Sequence, residues 1–406
     1  MLFLSQPLGT GFSYGSKGEG SLNPVTGVFQ DSSVDGVQGR YPVINASSLS
    51  TTDLSAVAAW HILQGFLGAL PQLDPNIKSR EFNLWTESYG GHYGPAFFNY
   101  FYEQNQMIAN GSSHGIQLSL NTLGVGNAII DELDTYGIKA VNDTVYNYQK
   151  FALCRNMISG CLDQIDHCRV TNRTTFADQA ICTAAENMCR DNVEGPYYSY
   201  SGRGPYDIRR PFNDPNPPTY FVDYLNLDST RNALGVDLNY TKLNDEVYYA
   251  FQRTGDYVYP NFIEDLEMLL NNSIRVALFY GDADYICNWF GGQAVSLAVD
   301  YTHKEEFAAA GYAPFLSANS EIFHFSASTR HVMAFPALIY RLTTVKAGHE
   351  VPYYQPVASL EMFRRTLLHL DIAEGKSKVS ANYSSIGSAN STHTESFVAL
   401  PSNLKP

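Results

Sequence analysis

No cluster of lysine or arginine interrupts this 406-residue sequence, and acidic residues outnumber basic ones by 40 to 26, giving a formal net charge of -14. A chain of that sign without a basic stripe has nothing to draw in a phosphate backbone, so no nucleic-acid partner is expected. No uninterrupted apolar stretch reaches the roughly 18 residues of a membrane helix, so no membrane span is expected either. Cysteines at the two- to four-residue spacing of zinc sites are missing, which speaks against a metal. The opening MLFLSQPLGTGF lacks the basic start, apolar stretch and small-residue cleavage site of a secretory leader.

What is present describes a compact, aromatic-rich globule. The charged fraction is only 16% against 44% hydrophobic, with 28 Tyr and 23 Phe. Sequons for N-linked glycans stand at Asn45, Asn110, Asn142, Asn172, Asn239, Asn271, Asn382 and Asn390, and five of the six cysteines crowd into residues 154 to 189. Together these favour the secretory pathway and N-linked glycosylation.

Along residues 1–149, short strands and helices alternate. EFNLWTE (81–87) reads as a strand, GPAFFNYFYEQNQM (94–107) as a helix with aromatics at helical spacing, and GIQLSLNTLGVGN (115–127) as the next strand. That βαβ unit implies a parallel sheet. The sheet resumes in 261–376, where IRVALFYGD (274–282) has the near-continuous apolar run of a strand buried on both faces. There ALIYRLTTVKAG (337–348) reads as a strand running into a loop, and 358–376 as a helix. Between these halves, residues 150–260 differ in character and read as an insertion, and 377–406 as a mobile Ser/Asn-rich tail. Cys161 and Cys168 are seven apart, as are Cys182 and Cys189, close to two helical turns. Two antiparallel helices would bond them in nested fashion, Cys161 to Cys189 and Cys168 to Cys182. Other pairings stay open, and Cys154 has no obvious partner.

Three candidate groups fall at the carboxyl ends of expected strands, the edge at which open α/β sheets place ligands. They are Ser88 in WTESYGGHYGP, Asp284 in GDADYICNW and His349 in KAGHEVP. Their chain order, Ser then Asp then His, is that of α/β-hydrolases. The chemistry needs a hydroxyl to attack, an imidazole to take and return its proton, and a carboxylate to orient the imidazole. Singly, each could be an ordinary turn or structural residue; the shared order argues against that for all three. His92 and His331 read as packing or surface residues.

LSQPLGTGFSYG, WTESYGGHYGP, LGVGNAIID, YDIRR, YGDADYICNW and GHEVP together resemble, in order, the motifs of the serine carboxypeptidases. That resemblance implies an α/β-hydrolase fold with a mostly parallel central sheet, helices on both faces and an inserted disulfide-bonded cap. It implies hydrolysis of the last peptide bond of peptides and proteins at acid pH through an acyl-enzyme, with no metal or cofactor, in a secreted or vacuolar setting. Ser88, Asp284 and His349 would be catalytic, and Glu87 would recognise the free α-carboxylate of the substrate. Two such acids share a proton, which raises an apparent pKa. Tyr89 would give an oxyanion donor through its N–H and a pocket wall through its ring. Ile129, Ile286 and Cys287 match pocket positions, Cys287 as an unpaired thiol, and Glu350 matches a position where a glutamate favours basic leaving residues or only tunes His349. An acyltransferase on the same scaffold, or an inactive homologue, is the alternative.

Two positions depart from the family pattern: Thr86 replaces the first glycine of the turn around the serine, and Ser5 stands where Asp is usual. The family also has an upstream W-x-N-G-G-P-G element whose Asn helps hold the substrate carboxylate and whose glycine N–H completes the oxyanion hole. This sequence starts after it, so the expectation is that an N-terminal segment is missing and that the 406 residues alone have little or no peptidase activity.

Overall fold

The computed structural model describes residues 1–23, 28–31, 36–77, 79, 81–131, 152–214, 217–259, 261–316, 328–334, 337–344, 347–379 and 383–388. A small antiparallel sheet of β1 (Ser16–Leu22), β2 (Phe29–Gln30) and β3 (Gly39–Val43) opens the chain in the order β2-β1-β3. Helix α1 (Thr52–Leu73) then leads to β4 (Glu81–Glu87), α2 (Gly90–Ala109) and β5 (Ser119–Gly126). Next come α3 (Ala152–Arg169), α4 (Phe176–Cys189), α5 (Asp245–Thr254) and α6 (Phe262–Asn271). The sheet returns with β6 (Arg275–Gly281), followed by α7 (Trp289–Ala298), β7 (Ala313–Pro314), β8 (Ser328–Ala334), β9 (Ala337–Thr344) and α8 (Pro356–Leu367).

The main sheet has the order β4-β5-β6-β9-β8-β7. Strands β4, β5, β6 and β9 pair in parallel, while β8 and β7 close one side antiparallel. Every residue of β6 is buried, and successive side chains serve different cores. Val276, Leu278 and Tyr280 pack with Phe98 of α2 and Phe262 and Leu266 of α6, whereas Ala277 and Phe279 pack with Met362 of α8. Two helical layers thus explain why the strand is apolar at every position rather than at alternate ones. The glycines of LGVG in β5 have a steric cause. A Cβ on Gly124 would stand 2.3 Å from the ring of Trp85, and one on Gly126 would stand 2.4 Å from that of Phe279.

Among the described residues between β5 and β6 no strand joins the main sheet. Helices α3 and α4 form the expected antiparallel pair, joined by Cys161–Cys189 and Cys168–Cys182. Thr175 starts α4 with a capping box to Asp178. The side chain of Cys154 lies outside the described residues, as do Asn142, Asn382, Asn390 and the side chain of His331.

Two features bear on these expectations without overturning them. Helix α1 is long and apolar enough, by length and composition, to cross a membrane, although Asp53, His61 and Gln64 break any uninterrupted apolar run. Here it packs on α2, with Trp60 of α1 5.5 Å from Phe101 of α2. Within the tail, residues 383–388 make contacts with the fold. Ser388 pairs with Tyr312 in an antiparallel bridge, and Ser385 donates its hydroxyl to Gly311 O at 2.6 Å.

Candidate active site

The turn between β4 and α2 carries Ser88 with φ +62, a left-handed conformation that a serine adopts only under constraint. The constraint is visible. Ser88 N–H donates to Gly126 O at 3.0 Å, and Ser88 O accepts from Gly91 N at 2.9 Å and from Ile129 N at 3.1 Å. Gly91 is obligatory, because a Cβ there would lie 2.1 Å from the carbonyl oxygen of Ile129. Thr86, the departure from the family pattern, fits because its hydroxyl donates to Gly90 O at 2.9 Å, while Gly90 has no Cβ to collide with it.

Asp284 follows β6 and is fully buried, and His349, in the loop after β9, is also buried. The Asp284 Oδ2 accepts from His349 Nδ1 at 2.7 Å, which directs the other ring nitrogen away from the carboxylate. Because β4, β5, β6 and β9 are successive neighbours in the sheet, Ser88, Asp284 and His349 leave one edge of it together. Gly281 lets the loops approach, since a Cβ there would stand 2.2 Å from Gly348 O.

Two holding elements lie in the motifs LGVGNAIID and YDIRR, to which the sequence assigned no role at this position. Asn127, at the end of β5, is buried with φ +37. Its Nδ2 donates to Asp284 Oδ2 at 2.8 Å, while its Oδ1 accepts from Gly281 N at 3.0 Å. The second is the segment holding YDIRR. Tyr206 O accepts from His349 N at 2.8 Å, its ring lies 4.9 Å from the imidazole, and Pro205 O accepts from Tyr285 N at 3.0 Å. That segment therefore ties the Asp284 loop to the His349 loop. The only available signals were an Asn after a Gly-Val-Gly strand end and the YDIRR string itself.

Charges at the site are coupled. Burial pushes the Glu87 carboxyl up to about 7; His349 opposes that rise, and Glu350 and Asp284 add to it. Glu87 is nevertheless exposed to solvent at the end of β4, so water screens much of the effect and its direction, upward, is what stands. Burial alone would lower His349, but the charge and hydrogen bond of Asp284, with Glu87 and Glu350, outweigh it and drive the imidazole upward. Burial takes His92 the other way, down to about 4, so it is a neutral core residue between Tyr89 and Phe262.

Tyr89, Ile129, Ile286 and Cys287 meet in one apolar cluster with both disulfides of the α3–α4 pair, and the Cys287 thiol is buried and takes part in neither disulfide. Glu350 is exposed beside His349. Asp284, Cys287 and His349 each bring a potential metal donor within 4.8 Å of the others. The 2.7 Å bond between Asp284 and His349 marks an acid–imidazole pair rather than two ligands aimed at a common ion. A cavity of about 620 Å³ lies elsewhere, between β1, β3 and residues 228–237. Its walls are ion-paired, as in Arg40–Asp237 at 2.6 Å, and it shares no residue with this constellation.

The sheet order, the strained serine turn and the acid–imidazole pair define an α/β-hydrolase fold. A model of the serine carboxypeptidase family matches residues 1–369, and the chain belongs to that family. It is 36% identical to carboxypeptidase S1 homolog B of Arthroderma otae over 92% of this chain and 61% of that protein. Carboxypeptidase S1 of Penicillium janthinellum is 33% identical over 90% of this chain and 77% of its own length. The chain thus spans about three fifths of the first relative and about three quarters of the second. In fold it is similar to a prohormone-processing carboxypeptidase from Saccharomyces cerevisiae, with a TM-score of 0.60, 17% identity, and coverage of 93% of this chain and 75% of that one.

Proposed function

We propose that the protein is a serine carboxypeptidase that removes the last residue of a peptide or protein through an acyl-enzyme. The observation that carries this reading is the buried Asp284–His349 hydrogen bond at the sheet edge where β4 delivers Ser88 in a left-handed turn. Ser88 Oγ attacks the carbonyl carbon, and His349 takes its proton on Nε2 while Asp284 holds Nδ1–H. The oxyanion forms against the N–H of Tyr89. His349 then protonates the leaving amine, and water repeats the sequence on the ester.

Glu87, pushed up to about 7, keeps its proton below neutrality and can donate it to the substrate's α-carboxylate. A neutral imidazole becomes scarce as the pH falls, because His349 is driven upward. Protonating Glu87 removes one of the anions responsible, so the two titrations move together and favour work on the acid side. The cluster of Tyr89, Ile129, Ile286 and Cys287 supplies an apolar wall for the residue before the scissile bond, with residues 150–260 as the cap above it. Glu350 offers a charge to the departing residue. Two disulfides and the exposed sequons Asn45, Asn110, Asn172 and Asn271 support a secreted or vacuolar glycoprotein.

The test is labelling by a fluorophosphonate followed by tryptic mapping, alongside mass spectrometry of products from a blocked dipeptide near pH 5. Modification at Ser88, unaffected by EDTA, with release of the C-terminal residue, is the expected result. A label elsewhere, loss of labelling with EDTA, or acyl transfer to an alcohol in place of hydrolysis would refute it.

A further inference from the structure

One fully buried carboxylate, Asp256, sits where four separate stretches of chain meet. Its Oδ1 accepts from Thr52 N at 3.0 Å and from Arg173 Nη1 at 2.8 Å, and its Oδ2 accepts from Thr52 Oγ1 at 2.6 Å and from the Tyr89 hydroxyl at 2.8 Å. Thr52 begins α1, Tyr89 follows Ser88, Arg173 lies in the turn between the disulfide-bonded helices α3 and α4, and Asp256 follows α5. The Arg173 guanidinium is buried as well. Its second nitrogen reaches Asp53 at 3.2 Å, and its face lies 3.4 Å from the ring centre of Tyr259.

Arg173 also has φ +55, a region that an arginine enters only when its surroundings hold it there. Five non-glycine residues among those described have positive φ, and three of them are Ser88, Asn127 and Arg173. Strain is thus concentrated at the serine turn, at the residue holding Asp284, and here. A buried ion pair is replaceable by apolar residues with little loss of stability, so stability alone is a weak reason for this one.

What distinguishes it is Tyr89. Its hydroxyl is fixed by Asp256, and its ring is walled by His92 at 4.5 Å and Phe251 at 5.9 Å. Its N–H, just ahead of α2, has no acceptor among the described residues. We infer that Asp256, with Arg173 as its counter-ion, is a positioning residue for Tyr89. It fixes the phenol, and through the phenol the N–H beside the nucleophile, and it ties both to the disulfide-bonded hairpin. This rests on the proposed serine chemistry for its catalytic meaning. The physical link between Asp256 and the serine turn stands apart from it.

The experiment compares Tyr89→Phe, Asp256→Asn and the double variant in the full chain. Three quantities are read: the rate of Ser88 labelling by a fluorophosphonate, hydrogen exchange of the peptide spanning 85–95, and the melting temperature. Each single variant should slow labelling about ten- to hundredfold, as for loss of a hydrogen bond to a charged group, with the double no slower than the slower single. Exchange at 85–95 should rise in both singles and no further in the double. Asp256→Asn, which leaves Arg173 only the exposed Asp53 as counter-ion, should lower the melting temperature more than Tyr89→Phe does. Losses that multiply in the double variant would overturn the inference. So would a Tyr89→Phe protein with unchanged labelling and exchange, a result that decides the matter even if Asp256→Asn does not fold. Absence of labelling in the unsubstituted protein would overturn the serine-hydrolase reading alone, while the exchange comparison would still decide whether Asp256 holds the turn.

Discussion

Replacing Asn127 by alanine should damage both the stability of the protein and the pH range of its chemistry, and by separable routes. The side chain makes two close bonds to parts of the chain far away in sequence, Nδ2 to Asp284 Oδ2 at 2.8 Å and Oδ1 from Gly281 N at 3.0 Å, and a longer one from Nδ2 to Cys287 O at 3.4 Å. Alanine leaves the Gly281 N–H buried without its acceptor, at about 1–3 kcal/mol, and removes a hydrogen bond to a carboxylate, at about 1.5–3 kcal/mol. It also places a Cβ at φ +37 without the local hydrogen bonding that lets asparagine tolerate that region. These losses share partners and do not simply add, so we expect about 3–5 kcal/mol in all. For a chain of this size that is roughly 4–6 °C in melting temperature.

The second effect has a definite sign. Without the Asn127 donor, the charge of Asp284 acts more strongly on His349, whose imidazole is already driven upward by that carboxylate. The neutral ring then requires a higher pH, and the acid limb of Ser88 labelling by a fluorophosphonate moves upward. Asn127→Gly separates strain from bonding, because glycine accepts positive φ freely yet supplies neither bond. It should recover only the strain part of the stability and none of the shift in the acid limb. If both variants melt within about 1 °C of the unsubstituted protein and their labelling profiles coincide with it, Asn127 does not hold Asp284, and the account of the site's support is wrong.

Glu87→Gln should weaken cleavage of free-acid peptides at pH 5 by about ten- to hundredfold while sparing C-terminal esters and amides, since it removes one charge-assisted contact to the substrate. Burial pushes Glu87 up to about 7, so the unsubstituted protein should lose free-acid cleavage as pH rises through that value. The glutamine variant should lack that limb, and equal losses on acid and amide substrates would count against the role. Breaking Cys161–Cys189, which closes 28 residues, should cost about 3.6 kcal/mol, against about 3.0 kcal/mol for the 14 residues of Cys168–Cys182. Urea unfolding of the two serine-pair variants measures this, and a reversed order would show that chain entropy is not what these bonds supply.

The parts of this fold legible in the sequence are those whose cause lies within a few residues. The run VALFY has to be a strand covered on both faces, and β6 is one, alternating between two cores. Two seven-residue cysteine spacings put sulfurs on single helix faces, and a folded-back pair of helices favours the nested pairing that the fold has, though spacing alone left other pairings open. Ser88, Asp284 and His349 are visible because each chemical role restricts residue type and because strand ends put them on one edge. The supports are not visible, for a physical reason. Asn127 matters through Asp284, 157 positions away, and through Gly281, 154 positions away. Asp256 reaches Thr52 across 204 positions and Tyr89 across 167. No local pattern of hydropathy or spacing records a bond of that span, and asparagine or aspartate in a loop reads as turn chemistry. Positive φ at Asn127 and Arg173 is the local trace such long bonds leave, and it exists only once the chain has folded. The groups proposed as reactive are thus announced by what they are, whereas those proposed to aim them are announced only by the contacts they keep.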